Sequence, residues 1–447
     1  MRAVGKEPGF GAEDESVPMA LTREQQEVLV RVGPGTAMGE LMRRYWIPVL
    51  LDWEVAEPDG PPVRVRVLGE DLIAFRDTAG NVGLIDQFCA HRGVSLFFGR
   101  NEEGGIRCPY HGWKYDAGGR CVDMPTEPKE SSFKDKVQLV SYPCIELGGL
   151  VWAYLGPDEF RPPAPSYDWL NVPESHRFWT KREQESNWLQ ALEGAIDSSH
   201  VGVLHRFDLD RDRLHQDADG PKYIKADTRP KFFTSETPFG VAIGARRNAD
   251  DARYYWRMTP FVMPFHQMVP PYGGNPTGGH AFVPIDDEHC FSYSYYWHPT
   301  IPISDELRAS MEGGSGIHSV NIPGTFRPAA NKSNDYLIDR RAQKEGRSFS
   351  GVLGIAAQDA ACQESMGPIQ DRTREWLGTS DAGIIAARHR LLQAAIALRD
   401  EGIAPPALQP AEQRARSASV LLPKDVPFDE GVRRAMLAEA GAPLVSV

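Results

Sequence analysis

Two textures of hydrophobic and polar positions alternate along this chain. Leu21 to Arg31 carries apolar residues at helical spacing, with Thr22 as candidate N-cap and Gly33-Pro34-Gly35 as a stop. Ala37 to Arg44 reads as a second short helix. From Val63 the period drops to two. Val63 to Leu68, Leu72 to Arg76 and Val82 to Asp86 are strand-like, and turns such as Ala79-Gly80-Asn81 and Ala117-Gly118-Gly119 separate such runs. This predicts a compact antiparallel β domain. Pro157 to Pro165 reads as a linker. Beyond it come a helical stretch from Glu183 to His205 and aromatic-rich strands at Phe239 to Arg246, Arg253 to Met258 and Cys290 to His298. Helical patterns return at Ser350 to Trp376 and Gly383 to Arg399, while the tail from Pro405 is rich in Pro and Ala and has no clear period. The order predicts an α+β fold, a β domain followed by a twisted antiparallel sheet wrapped on long helices.

Length changes the picture first: 447 residues suit two or three domains. Hydrophobic residues at 41% and charged residues at 25% describe an ordinary globular chain. A net charge of −12 argues against a nucleic-acid surface, and no apolar run is long enough for a membrane span. Six scattered Cys do not make a secreted disulfide framework, so a reducing compartment is expected; Cys121 and Cys144 read as buried small apolar residues. Residues 1–20 read as a disordered tail without the apolar core of a signal peptide, which points to a cytoplasmic protein.

The β region holds the sharpest chemical signal. Cys89-Ala-His91 and Cys108-Pro-Tyr-His111 are two short pairs, each one thiolate and one imidazole, in loops between strands. That donor set matches a [2Fe–2S] centre of the Rieske kind, two Cys on one iron and two His on the other. A structural zinc site uses the same donor types, but usually pairs Cys with Cys and His with His.

A second signal is Asp197-Ser-Ser-His200-Val-Gly-Val-Leu-His205. Two His and a carboxylate can hold ferrous iron on one face and leave positions for dioxygen. On an ideal helix Asp197 and His200 share a face, whereas residues five apart do not. His200 and His205 converge only if the helix ends or distorts between them, which Gly202 would permit.

Together the motifs resemble the oxygenase (α) component of Rieske non-haem iron aromatic ring-hydroxylating oxygenases, and within it the phthalate dioxygenase branch. The carrying residues are Tyr45-Trp46, Asn187-Trp188, Leu192-Glu193-Gly194, Asp197 to His200, His205, and Gln358-Asp359 through Pro368. The resemblance implies helices at 21–44 packed on the catalytic domain, a Rieske domain over 45–157, and a helix-grip (START-like) catalytic domain over 158–447. It implies His200 and His205 as ligands of a mononuclear Fe(II), with a downstream carboxylate as the third. Asp359 fits the family's Asp followed five residues later by Glu, here Glu364; Asp371 and Asp381 are its rivals. Asp197 would link a Rieske His of one subunit to an iron-bound His of the next, in a head-to-tail trimer that could stack in pairs. Electrons would come from NADH through a separate FMN and iron–sulfur reductase. The expected reaction is dihydroxylation of an aromatic acid with O2, with O-demethylation by monooxygenation as the alternative; an electron carrier without oxygenase chemistry is a further one. An acid substrate calls for a buried Arg, for which Arg246 and Arg257 are the candidates and Arg229 and Arg247 the rivals. Trp113 and Tyr115 stand as shields of the cluster or plain core, and Glu193 as support for Asp197 or a solvated acid.

Overall fold

The computed structural model describes residues 20–437 together with 444 and 446, so residues 1–19 of the expected tail lie outside it. Thr22 opens the first helix, Arg23–Val30, through a reciprocal capping box with Gln25. Ala37–Met42 follows, capped by Thr36. Both pack against the long helix Ala382–Glu401 near the other end of the chain. No helix among the described residues is long and apolar enough to cross a membrane.

The β region forms three small antiparallel sheets. Val63–Val67, Glu70–Arg76 and Val82–Asp86 make one, and the short strands from Arg100 to Asp123 make a second. Ile73, Phe75, Ile85, Leu96, Ile106 and Tyr115 close a core of their own around Cys89 and Cys108. The third sheet, Trp46–Leu51 with Leu150–Tyr154 and Cys144–Leu147, belongs instead to the large core shared with the rest of the chain. A buried ion pair, Lys181 Nζ to Glu54 Oε1 at 2.9 Å, also ties the two regions together.

Beyond residue 176 an eight-stranded antiparallel sheet dominates. Its order runs Arg177–Gln184, Cys290–Trp297, Thr277–Pro284, His266–Met268, Arg253–Val262, Gly240–Asn248 and Lys231–Thr237, with Ala418–Pro423 also paired to the Arg253 strand. Every residue of Thr277–Pro284 is buried, because helices cover one face and the β region the other.

Three expectations need correction. The helix over 183–205 is only Trp188–Ile196: residues 177–184 are an edge strand paired with Cys290–Trp297, and Asn187 caps the helix through the Leu189 amide. Within Ser350 to Trp376 the α-helix is only Ile355–Ser365, bounded by Gly354 and by Met366-Gly367-Pro368, with a short 3-10 turn at Arg372–Arg374. The Pro- and Ala-rich tail is not featureless, since Ala418–Pro423 is a sheet strand and Phe428–Ala435 a helix packed on it. A strand that joins at one sheet position leaves little periodic signal in six residues.

Candidate metal centres and active-site cavity

The two Cys–His loops are built alike. The Gly93 amide donates to the Cys89 carbonyl at 2.9 Å and the Gly112 amide to the Cys108 carbonyl at 3.1 Å, closing each loop. Both glycines have positive φ, +71° and +78°, a conformation that side-chain-bearing residues disfavour. Cys89 and Cys108 are buried, whereas His91 is exposed and His111 half-buried, the rings 4.4 Å apart between centroids. Trp113 stacks on His91 at 4.6 Å, and the Tyr115 hydroxyl lies 3.2 Å from Cys89 Sγ, so both aromatics touch ligand candidates as well as core.

Ligands of one tetrahedral zinc ion lie within about 4 Å of each other. Among the described residues, only His200, His205 and Asp359 bring three such donor atoms within 4.8 Å. In the Cys–His quartet like faces like, the Cys108 thiol beside Cys89 and the rings of His91 and His111 4.4 Å apart, which suits two Cys on one iron and two His on the other.

His200 Nε2 and His205 Nε2 lie 3.1 Å apart, and Asp359 Oδ1 lies 3.1 Å from His205 Nε2 and 3.5 Å from His200 Nε2. The register problem is solved upstream of Gly202. The helix ends at Ile196, Asp197 turns extended, and its carboxylate accepts the amides of Ser199 (2.6 Å) and His200 (3.3 Å). A single turn at His200–Gly202 then swings the two imidazoles together. Asp197 and His200 therefore meet through a turn, not across a helix face.

Each His is oriented through its other ring nitrogen. Asp197 Oδ2 lies 3.2 Å from His200 Nδ1, and Gln358 Oε1 lies 2.7 Å from His205 Nδ1. Gln358 is in turn held by Asp208 at 3.0 Å and the Val352 carbonyl at 3.1 Å. This arrangement directs both Nε2 atoms toward one point, as metal-binding imidazoles require. Burial opposes charge on the Asp359 carboxyl, but the two imidazoles outweigh it and hold its pKa well below the carboxylate range. Burial likewise works to lower His200, yet Asp197 and Asp359 raise its pKa to about 10. Three donors this close, with carboxylate charge beside imidazole, form a site for a divalent cation. Asp371 and Asp381 sit elsewhere, each at an exposed turn where it accepts a backbone amide.

The site helix is braced from below. Glu193 is buried, not solvated, and its oxygens accept Arg372 Nη2 at 2.9 Å and Arg388 Nε at 2.6 Å. Burial would raise its pKa, but the two guanidinium groups outweigh that and keep it low. No bond to Asp197 is formed. Gly194 lets the downstream helix approach: a Cβ there would meet Gln363 Nε2 at 2.1 Å.

The triad stands in a wall between two hollows. On one side a cleft lined by Asp197, His200, Val203, Asp359, Met366 and Leu377 opens outward. On the other a narrow internal cavity of ≈ 80 Å³ runs over the sheet. Phe282, Val269, Tyr296, Ile317 and Ile355 give it apolar walls, and Arg182, Arg257, His280 and Gln267 add polar groups. Burial pushes the His280 pKa down to about 3, so this ring is neutral.

Strand alternation separates the arginine candidates. Arg257 pairs with Ala245 and lines the cavity, whereas Arg247, two residues on from Ala245, shares that sheet face without lining it. Arg246 pairs with Trp256 on the other face and packs over Tyr254 at 4.3 Å, outside the cavity. Arg229 is exposed. Arg247 donates to the carbonyls of Asp227 (3.0 Å) and Ser198 (3.1 Å), whereas Nε and Nη1 of Arg257 lack partners above the Tyr272 ring. Sequence reasoning missed Arg182 and His280, which lie on strands without a motif; the period-two pattern alone could have shown their common face.

A metal triad beside a covered cavity, with a Cys–His loop pair on a separate β core, defines a two-centre iron protein of the Rieske oxygenase class. The chain matches the Rieske [2Fe-2S] domain family over residues 45–143 and the "LigXa C-terminal domain like" family over residues 153–429. It is 41% identical to the 3-chlorobenzoate-3,4-dioxygenase oxygenase subunit of Comamonas testosteroni, over 92% of this chain and 97% of that one. It is 40% identical to the phthalate 4,5-dioxygenase oxygenase subunit of Pseudomonas putida, over 85% and 87%. Its fold resembles the terminal oxygenase of carbazole 1,9a-dioxygenase from Nocardioides aromaticivorans IC177, with a TM-score of 0.53 at 18% identity over 83% of this chain and 96% of that one. The chain belongs to the Rieske oxygenase α-subunit family. Its members use a Rieske cluster, mononuclear iron and O2, with electrons from a separate reductase, and the two relatives above are named for aromatic substrates.

Proposed function

We propose that this chain dihydroxylates the ring of an aromatic acid, with Arg257 holding the substrate carboxylate. Cys89, Cys108, His91 and His111 would hold the cluster, and His200, His205 and Asp359 the mononuclear iron. When bound, the cluster supplies single electrons and the iron supplies activation of dioxygen. The rest is the work of this chain's own side chains. Apolar walls at Phe282, Ile317 and Ile355 exclude water from the ring. The buried Nε and Nη1 of Arg257 have no partner, so this guanidinium has donors to spare for an acid oxygen at one end of the cavity. Gln358 and Asp197 fix the tautomers of His205 and His200.

The convergence of three donor atoms within 4.8 Å, in the wall of a cavity holding a buried guanidinium with two unpartnered nitrogens, carries this reading. The two relatives at 41% and 40% identity, both named as dioxygenases of aromatic acids, support it. A head-to-tail trimer supports the same geometry. His91 faces solvent on its own small core, and Asp197, His200 and Asp359 line an outward cleft that a neighbour's cluster loops could fill. In this reading the helices of residues 21–44 pack on a catalytic domain of residues 158–447, and residues 45–157 form the Rieske domain. A reductase carrying FMN passes on electrons from NADH, and the protein works in the cytoplasm.

The test is oxygen uptake with product analysis across a panel of aromatic acids, with a reductase supplied. Arg257→Met raises KM for the true acid by roughly 2–5 kcal/mol, and much less for the matching amide. Equal losses on acid and amide make Arg257 structural and end the carboxylate assignment.

A further inference from the structure

The floor of the internal cavity carries a second cation that the proposal above leaves without a task. Arg182 stands on the edge strand Arg177–Gln184, four strand positions across the sheet from Arg257. The paired registers run Phe261–Gln267–His280–Ser294–Thr180 straight across the sheet, so Arg257, four residues before Phe261, and Arg182, two beyond Thr180, stand at diagonally opposite ends of the cavity floor.

Arg182 is 4% exposed and lines the cavity, and its side chain makes no hydrogen bond among the described residues; its Nε and Nη1 are buried and unpartnered. Two carboxylates lie in its neighbourhood, Glu364 and Asp359, and both are engaged elsewhere. Glu364 accepts the Glu185 amide on one oxygen and the Tyr336 hydroxyl on the other. Asp359 faces the two imidazoles. A guanidinium keeps its charge when buried, and unpaired buried donors are destabilising until an acceptor reaches them. Next to it His280 is tied through Nδ1 to Ser294 Oγ at 2.9 Å, which leaves Nε2 as the free polar atom of that ring.

We propose that Arg182, with His280 beside it, is a specificity-determining residue that receives a second oxygen acid on the substrate ring. This rests on the reading that an aromatic acid binds at Arg257. Acid groups on adjacent ring carbons point to the same end of the cavity, whereas groups placed meta or para reach opposite ends. The preferred substrate class is therefore an aromatic acid with a second carboxylate or phenol across the ring, not beside the first.

Titration calorimetry on the full-length, iron-loaded protein tests this with benzoate, the 1,2-, 1,3- and 1,4-benzenedicarboxylates, and 3- and 4-hydroxybenzoate. At least one meta or para compound binds tighter than benzoate by roughly 30-fold or more, and tighter than the 1,2-diacid. The diacid and hydroxyacid arms separate a carboxylate from a phenol at Arg182. Arg182→Gln removes most of that advantage, and Arg182→Lys restores part of it. Arg257→Gln weakens benzoate as well as the difunctional acids. If the unaltered protein holds benzoate as tightly as every difunctional acid, or Arg182→Gln weakens all of them by one common factor, the second subsite is refuted while Arg257 stands. If Arg257→Gln leaves benzoate binding untouched, the underlying acid reading falls and the second subsite with it.

Discussion

The two metal regions of this molecule are built by opposite strategies. The Cys–His quartet comes from two loops within 23 positions of sequence, 89 to 111, each closed by its own Gly amide and resting on a core drawn from residues 73 to 139. The His–His–Asp triad joins a turn after one helix to a second helix more than 150 residues away, at the wall of a cavity floored by strands from between them. One site needs local turn geometry. The other needs the whole domain to pack correctly, and its supports extend to Glu193, Arg372 and Arg388.

The sharpest way to break this comparison is to empty one site at a time. His205→Ala abolishes oxygenation and takes iron content from about three to about two per chain, with the cluster absorbance intact. Cys108→Ala does the reverse, leaving about one iron and a colourless protein. Metal analysis beside the visible spectrum decides, and loss of both sites in either variant would mean that the regions are not separable.

Asp197→Asn probes the link that would join them. The amide keeps one acceptor oxygen but presents an NH2 to the His200 Nδ1–H, so both metals stay bound while turnover drops by orders of magnitude. Stopped-flow absorbance should show a reduced cluster that persists with substrate and oxygen present; native-rate reoxidation would remove the inter-subunit route.

Glu193→Gln tests the packing beneath the triad. Breaking a buried ion-pair network costs about 3–5 kcal/mol at neutral pH, read by urea denaturation. The pH dependence has a definite sign. The folded pKa of Glu193 lies below its unfolded value of about 4.3, so the stabilisation is complete above that value and is lost as pH falls through the folded pKa. The gap between wild type and variant should therefore shrink in acid, and a gap that widens there would contradict the assignment.

Gln358→Leu carries the smallest effect. Without its acceptor oxygen the His205 ring loses its orienting partner, and iron affinity falls roughly 10–100-fold while the cluster potential is unchanged. Competition with a chelator measures it, and unaltered affinity would leave Gln358 a packing residue.

These differences also explain what could be read early. Cys89 with His91 and Cys108 with His111 were legible as two loops of one build, because residues in one short turn stand next to one another in the chain. His200 and His205 were visible as a pair, yet the reason they converge was not. Asp197 ends the helix by capturing two amides, a choice between competing local bonds that spacing cannot rank. Arg246 and Arg257 looked equivalent until the register put one beside Trp256 outside and the other over the cavity. A one-residue offset in a strand exchanges the faces, and nothing in isolated residues marks which face is inside.

By itself, then, the sequence determined the donor chemistry, the two-part α+β plan and the order of its elements, because ligand types, caps and hydrophobic period are local properties. The tertiary structure decided which carboxylate joins the imidazoles, that Glu193 is a buried strut, and that Arg182 faces the cavity unpaired. Those outcomes depend on contacts between residues more than a hundred positions apart, which only the packed sheet and helices bring together.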